Sequence, residues 1–328
     1  MLSCAGFILL LGLTAYAVYY YQHPGPLPDE KILNIPAGTS FRSMTQIFET
    51  EGVVSHQRLY QLIVALQGKQ TRFKAGEYRF SAGITPYDVT ELLVKGRSIT
   101  HSVTVPEGLI SAEIGALLQA ETALVGDLPL KFLEGAYLPE TYFFLRGEAR
   151  EAVLERMREA MDQALQAAWD SREADLPLRS AYEALTLASV VEKETGVSDE
   201  RAHVASVFIN RLRLGMPLQS DPTTLYGMYV ETGKMVGRLS RDDLTMPSPY
   251  NTYHVNGLPL GPICNPGKAT LSAVLHPLST DDLYFVADGE GGHRFAHTLA
   301  EHNQNVARYR TFMRDHSKTR VVPPPVGQ

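Results

Sequence analysis

From Leu2 to Tyr21 the chain carries no charged side chain, and Phe7-Ile8-Leu9-Leu10-Leu11 is continuously apolar. A helix of about 20 such residues, rising roughly 1.5 Å per residue, matches a hydrocarbon core of about 30 Å. Tyr16, Tyr19, Tyr20 and Tyr21 gather at its far end, where amphipathic rings favour a membrane interface. The pattern predicts a single N-terminal transmembrane anchor over 1–22, and Pro24-Gly25-Pro26 marks 23–30 as a linker. Two other readings exist: a cleaved signal peptide, since Ala15-Tyr16-Ala17 is a small-residue site, and a buried core helix. No Lys or Arg precedes the run, so it encodes no orientation of its own; a basic leader upstream would supply one.

Beyond the linker a local pattern repeats. Ile32-Leu33-Asn34-Ile35 alternates as a strand does, Pro36-Ala37-Gly38 turns, and Thr39 or Ser40 caps a helix carrying Met44, Ile47 and Phe48. Strand, glycine turn and capped helix return at Tyr78-Arg79-Phe80, Gly83, Thr85, Val89, Leu92 and Leu93. A third stretch, Val103-Thr104-Val105 through Gly108 to Ser111, Ile114, Leu117 and Leu118, reads more readily as an unrelated strand–helix joint. With a helix over Arg58–Leu66, the first two copies predict a small α+β binding module over 31–98. The rest, 99–316, is predicted mainly helical, ahead of a Pro-rich tail over 317–328. Leu138-Pro139-Glu140-Thr141-Tyr142-Phe143-Phe144 reads as an aromatic turn, and Val153, Leu154, Met157, Met161 and Leu165 set a 3.6-residue period over Ala149–Ser171. Leu283–Ala287 and His293–Ala296, joined by Asp288-Gly289, predict a β-hairpin, with a last helix over Leu299–Arg314.

The chemistry sits on a helix predicted from Ser180 to Thr195. Ala184, Leu187, Ala188, Val190 and Val191 form its apolar stripe; at 100° per residue Glu194 falls on that stripe, whereas Glu192 lies more than a quarter-turn from its centre. Gly196 is expected to end the helix in the left-handed conformation. Apolar surroundings and the negative helix end both disfavour a carboxylate, so Glu194 is expected to hold its proton near neutral pH, as an acid for glycosidic cleavage must. The bland alternative is a buried structural glutamate paired with Arg201 or Arg211, which this helix alone leaves open. A polar loop over Gln219–Thr223 and an irregular stretch from Pro247 to Gly267, rich in Tyr, Asn, Pro and Gly, suit a sugar groove.

Composition removes competitors. Thirty basic against 36 acidic residues give a formal charge of −6 with no basic block, which argues against nucleic acid as a partner. The two cysteines, Cys4 and Cys264, are read as free thiols with no paired C-x-x-C. His293, His297 and His302 do not share one helix face and there is no H-E-x-x-H, so no metal and no cofactor is implied. Gly261 through Lys268 lacks the spacing and hydroxyl of a phosphate loop, and no G-x-S-x-G is present.

The motifs resemble those of the YceG-like endolytic murein transglycosylase family. The resemblance rests on Ala188-Ser189-Val190-Val191-Glu192-Lys193-Glu194-Thr195, Val204 through Leu212, and Leu218-Gln219-Ser220-Asp221-Pro222-Thr223. Tyr250-Asn251-Thr252-Tyr253, Gly257-Leu258-Pro259, Asn265-Pro266-Gly267, Tyr284 through Gly289 and Lys74-Ala75-Gly76-Glu77-Tyr78 add to it. It implies a LysM-like module between the anchor and a catalytic domain, in an inner-membrane protein with its catalytic domain in the periplasm. It implies cleavage of nascent peptidoglycan between N-acetylmuramic acid and N-acetylglucosamine, the muramyl C6 hydroxyl attacking C1 to leave a 1,6-anhydro end and to terminate strand growth. Glu194 would be the catalytic acid and base, with Thr195 standing where many lytic transglycosylases have Ser. Glu192, Gln219, Asp221, Tyr226, Asn251 and Tyr253 are the candidates for holding substrate, Glu192 also as fallback acid. Partners implied are glycan strands, the membrane and penicillin-binding synthases. A muramidase that uses Asp221 as second carboxylate, or a wall-binding scaffold without catalysis, are the alternatives.

Overall fold

In the computed structural model the described residues run from 2 to 319, with side chains from Gly6 to His316; the side chain of Cys4 and the prolines at 323–325 lie outside them. The mixed α+β chain divides into two compact units, one of residues 1–103 with 121–127 and 143–150, the other of the remainder.

The first unit opens with α1 (Leu2–Gln22), then β1 (Lys31–Ile35), α2 (Phe41–Thr50), α3 (Gln57–Leu66), β2 (Gly76–Phe80), α4 (Pro86–Lys95) and β3 (Thr100–Thr104). β1 and β2 pair antiparallel, Lys31 opposite Phe80 and Ile35 opposite Gly76. Phe48, Tyr60, Tyr78 and Phe80 are buried on this pair and its helices. The strand, glycine turn and capped helix recur as the sequence predicts. Gly38 and Gly83 both take positive φ, which residues without a Cβ reach at no steric cost. Ser40 and Thr85 then accept the N–H of Ser43 and Asp88 and satisfy donors at each helix start. The third stretch forms a strand–helix joint, β3 leading through Gly108, at φ +79°, to α5 (Ser111–Ala120), which belongs to the second unit.

Along α1 the apolar run projects outward, with Phe7, Ile8, Leu9, Leu10, Leu11 and Leu13 all more than half exposed. Among the described residues no helix is long and apolar enough to cross a membrane. The other end of α1 is docked. Tyr21 is buried, its hydroxyl donates to Gln67 Oε1 at 3.2 Å, and Tyr20 donates to the Ser55 carbonyl. The segment after α1 differs from a free linker: Leu27 is buried, Gly25 N–H donates to Ile84 O, and Gly83 N–H donates to Leu27 O. Pro and Gly here serve close packing rather than slack.

The second unit is mainly helical. After α5 the chain continues through β4 (Thr141–Leu145), whose last three residues belong to the first unit, and then α6 (Arg150–Asp170), α7 (Ala181–Glu194), α8 (Arg201–Arg213), α9 (Asp221–Thr232), α10 (Lys268–Leu275), β5 (Tyr284–Ala287), β6 (His293–Ala296) and α11 (Leu299–Thr319). β4 converts the expected aromatic turn into a strand, with Tyr142 and Phe144 buried and the residues between them exposed. α7 is the axis, its residues from Ala184 to Val191 all buried among α8, α9 and α10. Residues 247–267 contain neither helix nor strand, as expected. The hairpin forms with Tyr284 opposite Ala296 and Ala287 opposite His293, and α11 packs across it. α9 starts inside the expected polar loop, and α10 follows directly on the irregular stretch in a segment to which the sequence pattern assigns no element.

A Cβ at Gly25 would lie 2.7 Å from Ile84 O and 3.0 Å from Val53 O, both backbone atoms that cannot step aside. Gly25→Ala is therefore expected to destabilise the first unit by about 1–3 kcal/mol. Urea unfolding of the full chain measures this, and an unchanged midpoint would mean that the segment is not docked.

Candidate active site

Glu194 is the last residue of α7, and the helix ends there for a reason other than the expected one. Gly196 does not take a left-handed conformation. Instead Thr195 turns extended at φ −133°, its N–H still donating to Val191 O, and its hydroxyl accepts Val197 N–H at 3.0 Å. The buried Thr195 hydroxyl is thus spent on the backbone, and the hydroxyl beside Glu194 comes from elsewhere. Ser220 Oγ donates to Glu194 Oε1 at 2.5 Å. Ser220 occupies the N-cap position of α9, yet its side chain makes no capping bond, because it serves Glu194 instead. The stabilisation given up by α9 is on the order of 1 kcal/mol.

A knot of buried hydroxyls holds Ser220. Its N–H donates to Thr252 Oγ1 at 3.0 Å, Thr252 N–H donates to Thr223 Oγ1 at 3.1 Å, and Thr223 Oγ1 donates back to Ser220 O at 2.6 Å. Gln219, just before it, sits at φ +51°, a region costly for any residue with a Cβ, by about 1–3 kcal/mol. Its N–H donates to Thr252 O, so the strained turn is pinned at successive backbone groups. Asn251, fully buried, braces the knot: its Oδ1 accepts from Thr224 Oγ1 and Tyr253 N–H, and its Nδ2 donates to the carbonyls of Leu244 and Met246. Tyr253 OH donates to Asp221 Oδ1 at 2.6 Å.

These elements enclose a cleft of about 360 Å³ lined by Glu194, Arg211, Leu218, Gln219, Asp221, Tyr253, Tyr284, Phe285, Leu299 and His302. Burial pushes the Glu194 carboxyl up to about 7; the Ser220 hydrogen bond opposes this, and the nearby Asp221 charge adds to it. Among the described residues Glu194 has no ion-pair partner, so the structural-pair alternative fails. Arg201 is committed to Glu107 at 2.8 Å and Glu192 at 3.5 Å, and Arg211 hydrogen-bonds only carbonyl oxygens, its charge lowering the Glu194 pKa from beyond ion-pair distance. A slightly larger cleft of about 430 Å³, lined by Tyr182, Glu183, Asn256 and Leu260 among others, offers no comparable acid, because Arg179 pairs with Glu183 and holds it below its ordinary range.

Of the residues singled out from sequence, Glu194, Gln219, Asp221 and Tyr253 converge on one cleft, and Glu192, Tyr226 and Asn251 do not line it. Glu192 Oε2 accepts Gly267 N–H at 3.0 Å and Thr270 Oγ1–H at 2.6 Å, an anion at the N-terminus of α10 where the helix dipole favours it. Tyr226 is buried, donating to Glu134 Oε2 at 3.0 Å and meeting Tyr250 edge-on. Ser220, Arg211, Tyr284 and His302 were not selected from sequence. Ser220 carried a signal: a serine before Asp-Pro that begins a helix. The three histidines separate: His293 bonds Glu200 at 2.7 Å, His297 bonds the Asp281 carbonyl, and His302 stacks on Tyr284.

A model described as the YceG-like family matches residues 33–308. An endolytic murein transglycosylase of Bacillus subtilis (strain 168) is 32% identical over 310 aligned positions, covering 84% of this chain and 84% of the relative. Another from Streptococcus pneumoniae serotype 2 (strain D39 / NCTC 7466) is 28% identical, covering 94% of this chain and 65% of the relative. The 2.6 Å crystal structure of a yceG-like protein from Listeria monocytogenes aligns with a TM-score of 0.51 at 29% identity, covering 84% of this chain and 99% of that one.

The raised carboxyl carries a stability signature. A folded-state pKa above the ordinary 4.5 means that this group's contribution is fully present below about pH 4.5 and is lost as pH rises through about 7. Glu194→Gln is therefore expected to be more stable than the parent above about pH 8, by on the order of 2 kcal/mol after discount for partial exposure, and equal to it near pH 4. Melting curves across pH test this; parallel curves would mean that Glu194 ionises as an ordinary surface carboxylate.

Proposed function

The chain belongs to the YceG-like family, and from that membership and the setting of Glu194 we propose that it is an endolytic lytic transglycosylase of peptidoglycan. The observation that carries the proposal is a carboxyl protonated near neutral pH, in a cleft walled by aromatic and aliphatic side chains, with no ion-pair partner among the described residues.

Glu194 donates its proton to the glycosidic oxygen between N-acetylmuramic acid and N-acetylglucosamine, and the bond from muramyl C1 to that oxygen breaks. The muramyl C6 hydroxyl attacks C1, and the carboxylate just formed takes its proton. Bonds and protons balance without water, leaving a 1,6-anhydro end and a restored acid. Ser220, anchored to Oε1, holds one carboxyl oxygen and leaves the other to face the leaving oxygen. Tyr253, Tyr284 and Phe285 supply flat apolar walls for sugar faces. Cutting inside growing strands at this bond would terminate their elongation.

Asp221 favours one competing outcome, since it lines the same cleft and could serve a hydrolase as its second carboxylate. Its engagement by Tyr253 OH and its place in the first turn of α9 suit an electrostatic neighbour of Glu194 instead. The first unit acts as a LysM-like wall-binding module, supported by its own buried core and strand–helix–helix–strand order. The exposed apolar run of α1 attaches the chain to the membrane, with the catalytic unit on the outer face beside the wall and its synthases.

Digestion of isolated glycan strands is expected to release products with 1,6-anhydro ends, and Glu194→Gln to lower the rate at least a thousandfold. Reducing ends instead would make the protein a hydrolase; strand binding with no products from either protein would make it a scaffold. Activity of the parent is expected to fall above about pH 7, where Glu194 loses its proton. Ser220→Ala removes the bond that opposes this shift, so the alkaline limb should move upward while kcat drops about 10–100-fold at little-changed KM. A KM effect alone would reduce Ser220 to a packing role.

A further inference from the structure

One charged group in the cleft has no task in the chemistry described so far. Arg211 is buried, 8% exposed, on the inner face of α8. Its Nε donates to Leu283 O at 2.7 Å and its Nη1 donates to Leu218 O at 2.8 Å and Pro217 O at 3.3 Å. The Tyr284 ring lies 5.2 Å from the guanidinium carbon. Among the described residues no carboxylate lies within ion-pair distance of it, and Nη2 has no protein acceptor. Nη2 is also not among the fully buried polar atoms lacking a partner, so it keeps some exposure, and Arg211 lines the cleft. A guanidinium taken out of water with no carboxylate in contact costs free energy, and three carbonyl dipoles with the more distant Glu194 offset only part of it. The same side chain is fixed in orientation, so a planar anion would meet a donor already aimed. Asp221, the other charge there, is engaged by Tyr253.

We infer that Arg211 is a specificity-determining residue that reads a carboxylate on the muramyl sugar. The inference rests on the proposed action on peptidoglycan and supplies what Glu194 alone cannot. The strand alternates two sugars of nearly the same shape, and its backbone offers both kinds of glycosidic bond to one acid. Both rings are N-acetylated and uncharged; the muramyl ring alone carries a lactyl side arm. A carboxylate on that arm, held by Arg211, sets which ring occupies which side of Glu194 and so which bond is cut. Two sources share this chemistry: the lactyl carboxylate of strands stripped of peptide, and the carboxylates of the stem peptide where the lactyl group is amide-linked.

Calorimetric titration of the full-length Glu194→Gln protein tests the inference without turnover. The probes are three glycan oligomers of equal length: one with free lactyl carboxylates, one with lactyl groups capped as amides, and one bearing stem peptides. At least tenfold weaker binding of the amide-capped oligomer is expected, and the tighter of the other two identifies the source. Adding Arg211→Gln, which keeps an amide donor for the carbonyls, should bring the three affinities within twofold of one another. A purely structural arginine would instead leave the ratios intact. Equal affinity of the Glu194→Gln protein for all three oligomers overturns the inference, and needs no arginine variant to fold. Failure of the functional reading shows separately, as absence of anhydro ends from the parent protein on all three oligomers.

Discussion

The site depends on keeping one carboxyl group out of water while giving it a single hydrogen bond. Burial at the end of α7 raises the cost of ionising Glu194, and the Ser220 hydroxyl returns part of that cost without supplying a full charge. An arginine in the place of Ser220 would keep the group ionised at neutral pH and remove its acid. No hydroxyl at all would leave the carboxyl buried and free to rotate. A neutral donor lies between these extremes, and most of the second unit around α7 and α9 positions it.

That positioning explains several buried polar residues that do no chemistry. Thr223, Thr252 and Asn251 are fully buried; the two threonines spend their hydrogen-bonding capacity on the strained turn at Gln219 and the backbone of Ser220, and Asn251 braces Thr224, Tyr253 and the 244–246 turn around them. In a core built this way, a lost hydroxyl leaves its partner unsatisfied in a low-dielectric setting. Glu192 works differently. It ties α7 to the start of α10 through Gly267 and Thr270, fixing the end of α7 from the side opposite to the cleft chemistry. The two glutamates, two residues apart, owe opposite roles to their helical positions.

Helical phase places Glu194 and Glu192 on different sides of α7, and alternation with glycine turns locates β1, α2, β2, α4 and the hairpin, since both are local properties of the chain. What escaped the sequence depends on contacts between distant segments. Ser220 reads as one residue of a polar loop, and only the approach of α7 makes its hydroxyl a partner of Glu194. Tyr226 and Asn251 have the chemistry of sugar binders, but Glu134, far along the chain, takes the Tyr226 hydroxyl, and Thr224 and the 244–246 turn take the Asn251 amide. The stop at Thr195 was misassigned to Gly196 because a threonine that leaves the helix to serve its own backbone looks, in sequence, like one that stays. α9 was missed because Asp-Pro after a polar run reads as loop, although proline is well suited to a first helical turn.

The docking of residues 23–30 onto the first unit changes what kind of mechanical element they are. As a flexible tether of that length they would let the attached body wander over a distance on the order of 15 Å. Held by Ile84, Leu27 and the tyrosines of α1, they act as a strut. Under the membrane attachment and wall binding proposed above, the small unit would ride at a set height above the lipid, and the layer within its reach would be chosen by geometry rather than by diffusion.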